Sequence, residues 1–173
     1  MRLLDMAKGE SFRPETTDPK AFRNALGRYA TGVTVITCAT PEGPVGITVN
    51  SFASVSLDPP LVLWSPAKGS KRCEIFVNAE HFAIHVLGES QKGLCDTFAA
   101  VGGRDFSAVE WQPGAHGVPL LKQCLACFEC ERYAVHPGGD HEIILGKVTK
   151  ATVGEGAPLV FVKGGYGRFE EME

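Results

Sequence analysis

Residues 46–60, GITVNSFASVSLDPP, have two parities of different chemistry. Ile47, Val49, Ala53, Val55 and Leu57 fall on odd positions, while Thr48, Asn50, Ser54 and Ser56 fall on even ones. Successive strand side chains point to opposite faces, so an extended chain has one apolar face and one row of hydroxyls and an amide, interrupted by Phe52. Such a row is either the wet face of an amphipathic strand or a surface that hydrogen bonds an uncharged ligand. The lack of Lys or Glu in it favours the ligand. The run exceeds the usual strand of about five or six residues, so a bulge or bend is expected at 50–54.

Two further groups could do chemistry. In SPAKGSKR, residues 65–72, Gly69 and Ser70 are placed at a helix N-terminus with Lys68 and Lys71 beside them. Unpaired amides, helix dipole and ammonium charge there suit an anion, although a capped surface helix with solvated lysines gives the same pattern. In GDH, residues 139–141, His141 follows a Gly-rich turn. Its imidazole could carry a proton, with Asp140 either orienting it or bonding its own turn backbone. His81, His85, His116 and His136 match no ligand spacing. Cys124, Cys127 and Cys130 form two overlapping C-x-x-C units, but Ala134 stands where an iron–sulfur pattern wants a further Cys. On a strand, Cys127 faces away from its neighbours, which are about 20 Å apart at a rise of about 3.3 Å per residue. Reduced, mostly buried thiols are therefore expected.

These groups need a scaffold. Residues 1–16 read as a loose or dimer-wrapping N-terminal arm, and 17–173 as one domain. Asp18 and Pro19 signal a helix start, with Phe22, Leu26 and Tyr29 as its apolar stripe and Gly32 as its stop. Strands are expected over 33–38, 45–55, 61–65, 81–87, 121–135, 142–153 and 159–162, with turns at ATPEGP, HPGGDH and GEGAP. Ser70 is read as the cap of a two-turn helix through Asn78, and Ser90 as the cap of one carrying Leu94 and Phe98. A long Gly-rich loop with Arg104 and Trp111 follows. Strands dominate with about three peripheral helices, so an antiparallel barrel is the natural architecture.

The chain has 173 residues, 44% hydrophobic and 21% charged, which is ordinary for one globular domain. A formal net charge of −3 gives no case for nucleic acid as a partner. MRLLDMAKGE is too short in its apolar run for a signal peptide, and no run approaches the roughly 18 residues of a membrane span, so a cytoplasmic protein is expected. No G-x-G-x-x-G opens a helix after a strand, so a Rossmann nucleotide site is unsupported.

YATGVTVIT (29–37), GITVNSFASVSLDPPLVLW (46–64), FAIHVL (82–87), GDHEIILGKV (139–148) and GAPLVFVKGGYGRF (156–169) together resemble the flavin reductase-like family. The resemblance covers roughly residues 19–169. It implies an FMN-binding split β-barrel of Greek-key type and a homodimer with its flavin pocket at the subunit interface. It also implies an NAD(P)H:flavin oxidoreductase that reduces FMN or FAD with NADH or NADPH and supplies a downstream flavin-dependent monooxygenase. By the same resemblance, Thr48, Val49, Asn50, Ser51, Phe52 and Ser54 line the flavin, and Ser65, Lys68, Gly69, Ser70 and Lys71 lie at its phosphate. His141 is then the catalytic residue near flavin and nicotinamide, with Asp140, Tyr166 and Arg168 completing the cofactor site. Without a nucleotide-binding domain, the nicotinamide would lie against the flavin in an open groove, its C4 about 3 to 3.5 Å from flavin N5. A flavin-binding electron carrier of this fold and a related split-barrel oxidase remain alternatives.

Overall fold

The computed structural model describes residues 11–100 and 102–172. A single 3-10 turn, Pro14–Thr16, precedes helix α1, Pro19–Leu26. Residues 1–10 of the expected arm lie outside the described residues. The Asp18 side chain accepts from the Lys20 amide at 2.9 Å, as expected of an N-cap, but α1 ends at Leu26, six residues before the expected stop at Gly32. Gly27 closes it by donating its amide to the Arg23 carbonyl.

The chain continues through β1 (Thr31–Gly32), β2 (Thr34–Thr40), β3 (Gly43–Val49), β4 (Ala53–Leu57) and β5 (Pro60–Trp64). Then come α2 (Cys73–Asn78), β6 (His81–Val86), α3 (Lys92–Ala99), β7 (Trp111–Pro113) and β8 (Pro119–Leu121). The long pair β9 (Ala126–Gly138) and β10 (His141–Val153) precedes β11 (Val160–Val162) and β12 (Gly165–Gly167). The expected strand over 121–135 is therefore two elements, β8 and β9, with a turn between them. Ser90 falls inside a 3-10 turn, and Gln91 bonds the Gly88 amide in its place.

Seven strands form one antiparallel sheet in the order β3-β2-β6-β9-β10-β5-β4. The two edge strands, β3 and β4, are chain neighbours joined only by residues 50–52. A twisted sheet that brings its edges together in this way is a barrel with a split, and the connector lies at the split. β11 does not join that sheet as expected but pairs with β1 and β12 in a three-stranded one. The interior is filled by Ile36, Val45, Ile47, Trp64, Phe76, Phe82, Ile84 and Ile144. A second apolar cluster, with Val33, Val35, Leu87, Cys95, Phe98 and Leu159, holds α3 against the barrel wall. Gly46 is where they touch: a Cβ there would stand 2.4 Å from a Phe98 ring carbon.

Candidate functional site

The expected irregularity is present. β3 ends at Val49 and β4 starts at Ala53, and a register shift between Ser54 and Ser56 adds a bulge against β5. Among the described residues, the amides of Asn50, Ser51 and Phe52 have no backbone partner. The connector is pinned by one side chain. The Ser51 hydroxyl accepts from the Ser65 amide at 2.9 Å and donates to the Ser65 carbonyl at 3.2 Å, standing in for the missing β3–β4 ladder. Thr48 is also tied, donating to the Cys95 carbonyl at 2.7 Å, and Phe52 stacks on Phe128. Asn50 is exposed.

Two cavities meet at Asn50. One, of about 190 Å³, is lined by Val33, Thr48, Val49, Asn50, Ala99, Phe161 and Tyr166. The other, of about 870 Å³, runs from Asn50 and Ser51 past Phe161 to Thr31, Tyr29 and Leu26. Pockets of 300–1,000 Å³ with apolar walls and few polar groups are the usual form of cofactor sites. Thr31 adds a buried hydroxyl oxygen with no partner among the described residues. Three unpaired amides, an exposed carboxamide and an unpaired hydroxyl beside an apolar wall fit the heteroatom edge and flat rings of an isoalloxazine. Tyr166 closes the smaller cavity. Its hydroxyl lies 3.1 Å from Cys95 Sγ, a contact that, with burial, raises its pKa to about 12 and keeps it protonated. Arg168 is not in either cavity and pairs with Glu89 at 3.3 Å. Ser54 lies exposed on β4 and lines neither.

The second group of expected residues also comes together, with one correction. Helix α2 starts at Cys73 with Arg72 as N-cap, so Gly69 and Ser70 lie in the turn before it. Ser70 Oγ instead accepts from the Arg72 amide at 3.3 Å. The 66–72 loop packs on the β9–β10 turn: the Lys68 amide donates to the Asp140 carbonyl at 2.9 Å, and the Glu142 amide to the Pro66 carbonyl at 3.0 Å. Lys68 Nζ donates to the Gly139 carbonyl at 2.7 Å and lies 3.4 Å from Glu142. Lys71 is exposed on the same loop. His141 Nδ1 is 2.7 Å from Asp140 Oδ1, and this bond holds the carboxyl below its usual range. With Nδ1 engaged there, Nε2 is the nitrogen left for a ligand. Ser65 joins the two groups, since it directly follows β5, receives Ser51 and leads into the loop.

The chain matches the flavin reductase like domain over residues 26–170. It belongs to the flavin reductase-like family. FMN reductase (NADH) SmoA of Agrobacterium fabrum (strain C58 / ATCC 33970) is 52% identical over 98% of this chain and 97% of its own length. The reductase subunit HsaB of a flavin-dependent monooxygenase from Rhodococcus jostii (strain RHA1) is 38% identical, covering 88% of this chain and 78% of its own. Among solved structures, the NADH:FAD oxidoreductase SgcE6 of Streptomyces globisporus C-1027, in complex with NAD and FAD fragments, superposes with a TM-score of 0.86. It is 36% identical and covers 94% of this chain and 98% of its own. A longer relative from Rhizobium meliloti (strain 1021) is 45% identical over 88% of this chain, which spans 49% of it. The family's split barrel is the architecture described above.

Residue types alone did not single out Phe161, Val33, Ala99 or Thr31. Each reaches the site through β1 and its link to β2, through β11 or through α3, whose packing on the barrel no local pattern records. All six cysteines are free thiols: Cys38, Cys73, Cys95 and Cys130 are buried, and Cys124 and Cys127 are half-buried. Burial pushes Cys38, Cys127 and Cys130 up to about 12 and Cys124 to about 11, so none is a ready nucleophile.

Proposed function

We propose that the chain transfers hydride from NADH or NADPH to FMN or FAD and passes the reduced flavin to a flavin-dependent monooxygenase. The observation that carries this is the unpaired connector 50–52 beside two cavities that meet at Asn50. Its support from relatives is that one named FMN reductase (NADH) aligns along almost the whole chain, and that another is a monooxygenase reductase subunit. NADH is the donor favoured by those names.

A bound flavin supplies the hydride-accepting ring, so the protein's share is binding and alignment. Asn50 and the amides of 50–52 take the ring's polar edge, with Thr48, Val49, Phe161 and Tyr166 as its walls. The 65–72 loop, with Gly69, Ser70 and Lys71, receives the flavin phosphate, and Lys68 holds that loop on the GDH turn. His141 presents Nε2 at this junction to position the nicotinamide amide or hold a proton, with Asp140 fixing its tautomer. Arg168 and Ser54 have peripheral roles in this reading, since neither lines the cavities.

The working form is a homodimer. Leu26, Tyr29, Val55 and Leu57 are large apolar side chains exposed in the single chain, and Leu26 and Tyr29 wall the larger cavity, so a second copy would complete the pocket. No helix among the described residues is long and apolar enough to cross a membrane. Six free thiols suit a reducing compartment, and we assign the protein to the cytoplasm.

Anaerobic stopped-flow mixing of the flavin-loaded protein with NADH tests the reading. The flavin absorbance should bleach within the enzyme's turnover time, and His141→Ala should slow that step by about 10²-fold while flavin still binds. Flavin binding without bleaching by either nicotinamide donor would make the protein an electron carrier. Wild-type reduction by His141→Ala would remove that residue from catalysis.

A further inference from the structure

Beyond Asn50, the groove leads to a cationic end that the roles above do not use. A cavity of about 350 Å³ is lined by Arg23, Arg28 and Lys163, with Phe161 and Gly27 between them. It shares Arg23, Gly27 and Phe161 with the larger cavity that starts at Asn50. Among the described residues, none of the three cations has an ion-pair partner. Three unpaired positive charges around one concavity are unusual on a chain of net charge −3, because mutual repulsion opposes the cluster.

The backbone gives an independent sign that Lys163 is held there. The β11–β12 hairpin turns on Lys163, at φ 52, and Gly164, at φ 78. Two positive φ values mark the two-residue turn in which Asn or Gly is normally first, and a Lys there is conformationally unfavourable. Lys163 is nevertheless anchored, its amide donating to the Gly27 carbonyl at 2.6 Å, which joins the hairpin tip to the end of α1. That bond sets the Lys163 stem beside Arg23 and Arg28.

We propose that Arg23, Arg28 and Lys163 form the subsite for the diphosphate of the nicotinamide dinucleotide. The inference rests on the proposed flavin reductase reading. The flavin phosphate is assigned to the 65–72 loop, so a second anion site that shares no lining residue with that loop is left for the second nucleotide. A nicotinamide laid on the ring beside Asn50 has its diphosphate leading along the larger cavity to these cations. This arrangement supplies, from charged side chains at the C-terminal end of α1 and a hairpin tip, the anion site that a Rossmann domain would otherwise provide.

The test is steady-state kinetics of Arg23→Gln, Arg28→Gln and Lys163→Asn with NADH as the varied substrate and saturating FMN. Each should raise the NADH KM by roughly threefold to tenfold with little change in kcat, as expected for loss of one exposed charge on a phosphate. The rise of wild-type KM with salt should flatten in the double variant Arg28→Gln/Lys163→Asn. Asn tolerates positive φ better than Lys, so Lys163→Asn should melt no lower than wild type, which separates lost binding from lost folding. Unchanged NADH KM in all three variants, with active wild type, would mean a solvated basic patch and overturn the proposal. So would weakened FAD binding with unchanged NADH KM, because the cations would then hold the flavin's tail. A wild-type protein that oxidises neither NADH nor NADPH would instead sink the flavin reductase reading on which the proposal stands.

Discussion

β3 and β4 carry the same alternation of apolar and polar residues and meet at the same connector, yet they live in different surroundings. On β3, Val45 and Ile47 are buried in the barrel core. On β4, Val55 is 47% exposed and Leu57 96% exposed. The expectation that all odd positions from 47 to 57 share one core face therefore holds for β3 and fails for β4. The physical reason is location in the sheet. β3 has both faces covered, its odd positions by the barrel core and its even position Gly46 by Phe98 of α3, whereas the register shift between Ser54 and Ser56 turns β4 at the opposite edge. Alternation shows that a strand has an apolar face. What that face meets depends on tertiary structure.

The largest effect that would sharpen this contrast is loss of the β3 core contact. Ile47→Ala should destabilise the fold by about 2–5 kcal/mol, the usual range for a buried Ile truncated to Ala. Leu57→Ala, with the same kind of truncation two strands' ends away, should change monomer stability by no more than about 0.5 kcal/mol. Denaturant melts of both, with unchanged slopes, check it. Similar losses for the two would mean that β4 is as buried as β3.

Acid should separate the two edges next. His85, on β6, is fully buried on the β2 side of the sheet that carries β3. Its Nε2 accepts from the Leu121 amide at 3.1 Å, so Nδ1 carries the proton and donates to the Val35 carbonyl at 3.1 Å. Both nitrogens are satisfied in the neutral form. Burial lowers its pKa from 6.5 to about 4. The unfolded chain thus takes up the proton first as pH falls, so this contribution is present above about pH 6.5 and is lost as the pH drops towards 4. The loss amounts to roughly 3 kcal/mol, and His85→Gln should flatten stability across that window. Hydrogen exchange at pH 4.5 should show β2 and β3 amides opening more readily than at pH 7. Equal pH dependence in wild type and His85→Gln would overturn it.

The same distinction between local pattern and long-range placement explains how much of the site was legible beforehand. The break at 50–52, the exposed Asn50 and the GDH turn follow from residue types in one short window. That Lys68 sits on that turn depends on β5 pairing with β10, and no spacing in SPAKGSKR records it. Ser51 reads as a ligand hydroxyl because its actual partner is the backbone of Ser65, just beyond β5 and fourteen residues on in the chain. Tyr166 was recognisable through its motif, but its contact with Cys95 was not. Arg168 is placed by the same motif and lies outside the cavities, because β12 ends at Gly167 and the residue beyond it turns towards Glu89. The helix that Ser70 was expected to cap starts three residues later. A serine in a turn can bond its own backbone two residues on, and that bond competes with capping.

The smallest expected effect on folding carries the most information about assembly. If β4 is exposed because a second copy covers it, Leu57→Glu should leave the monomer's melting behaviour within about 0.5 kcal/mol of wild type. It should nevertheless shift the protein from dimer to monomer by light scattering, because a carboxylate would be buried without a partner across the interface. Ser54→Glu, on the other parity of the same strand, controls for charge added merely nearby. Leu57→Glu should also weaken flavin binding, since Leu26 and Tyr29 wall the larger cavity and a lost partner would leave that wall open. A dimer that survives Leu57→Glu would show that the apolar face of β4 is simply wet. The failure of alternation on β4 would then be a tolerated surface rather than the imprint of a second chain.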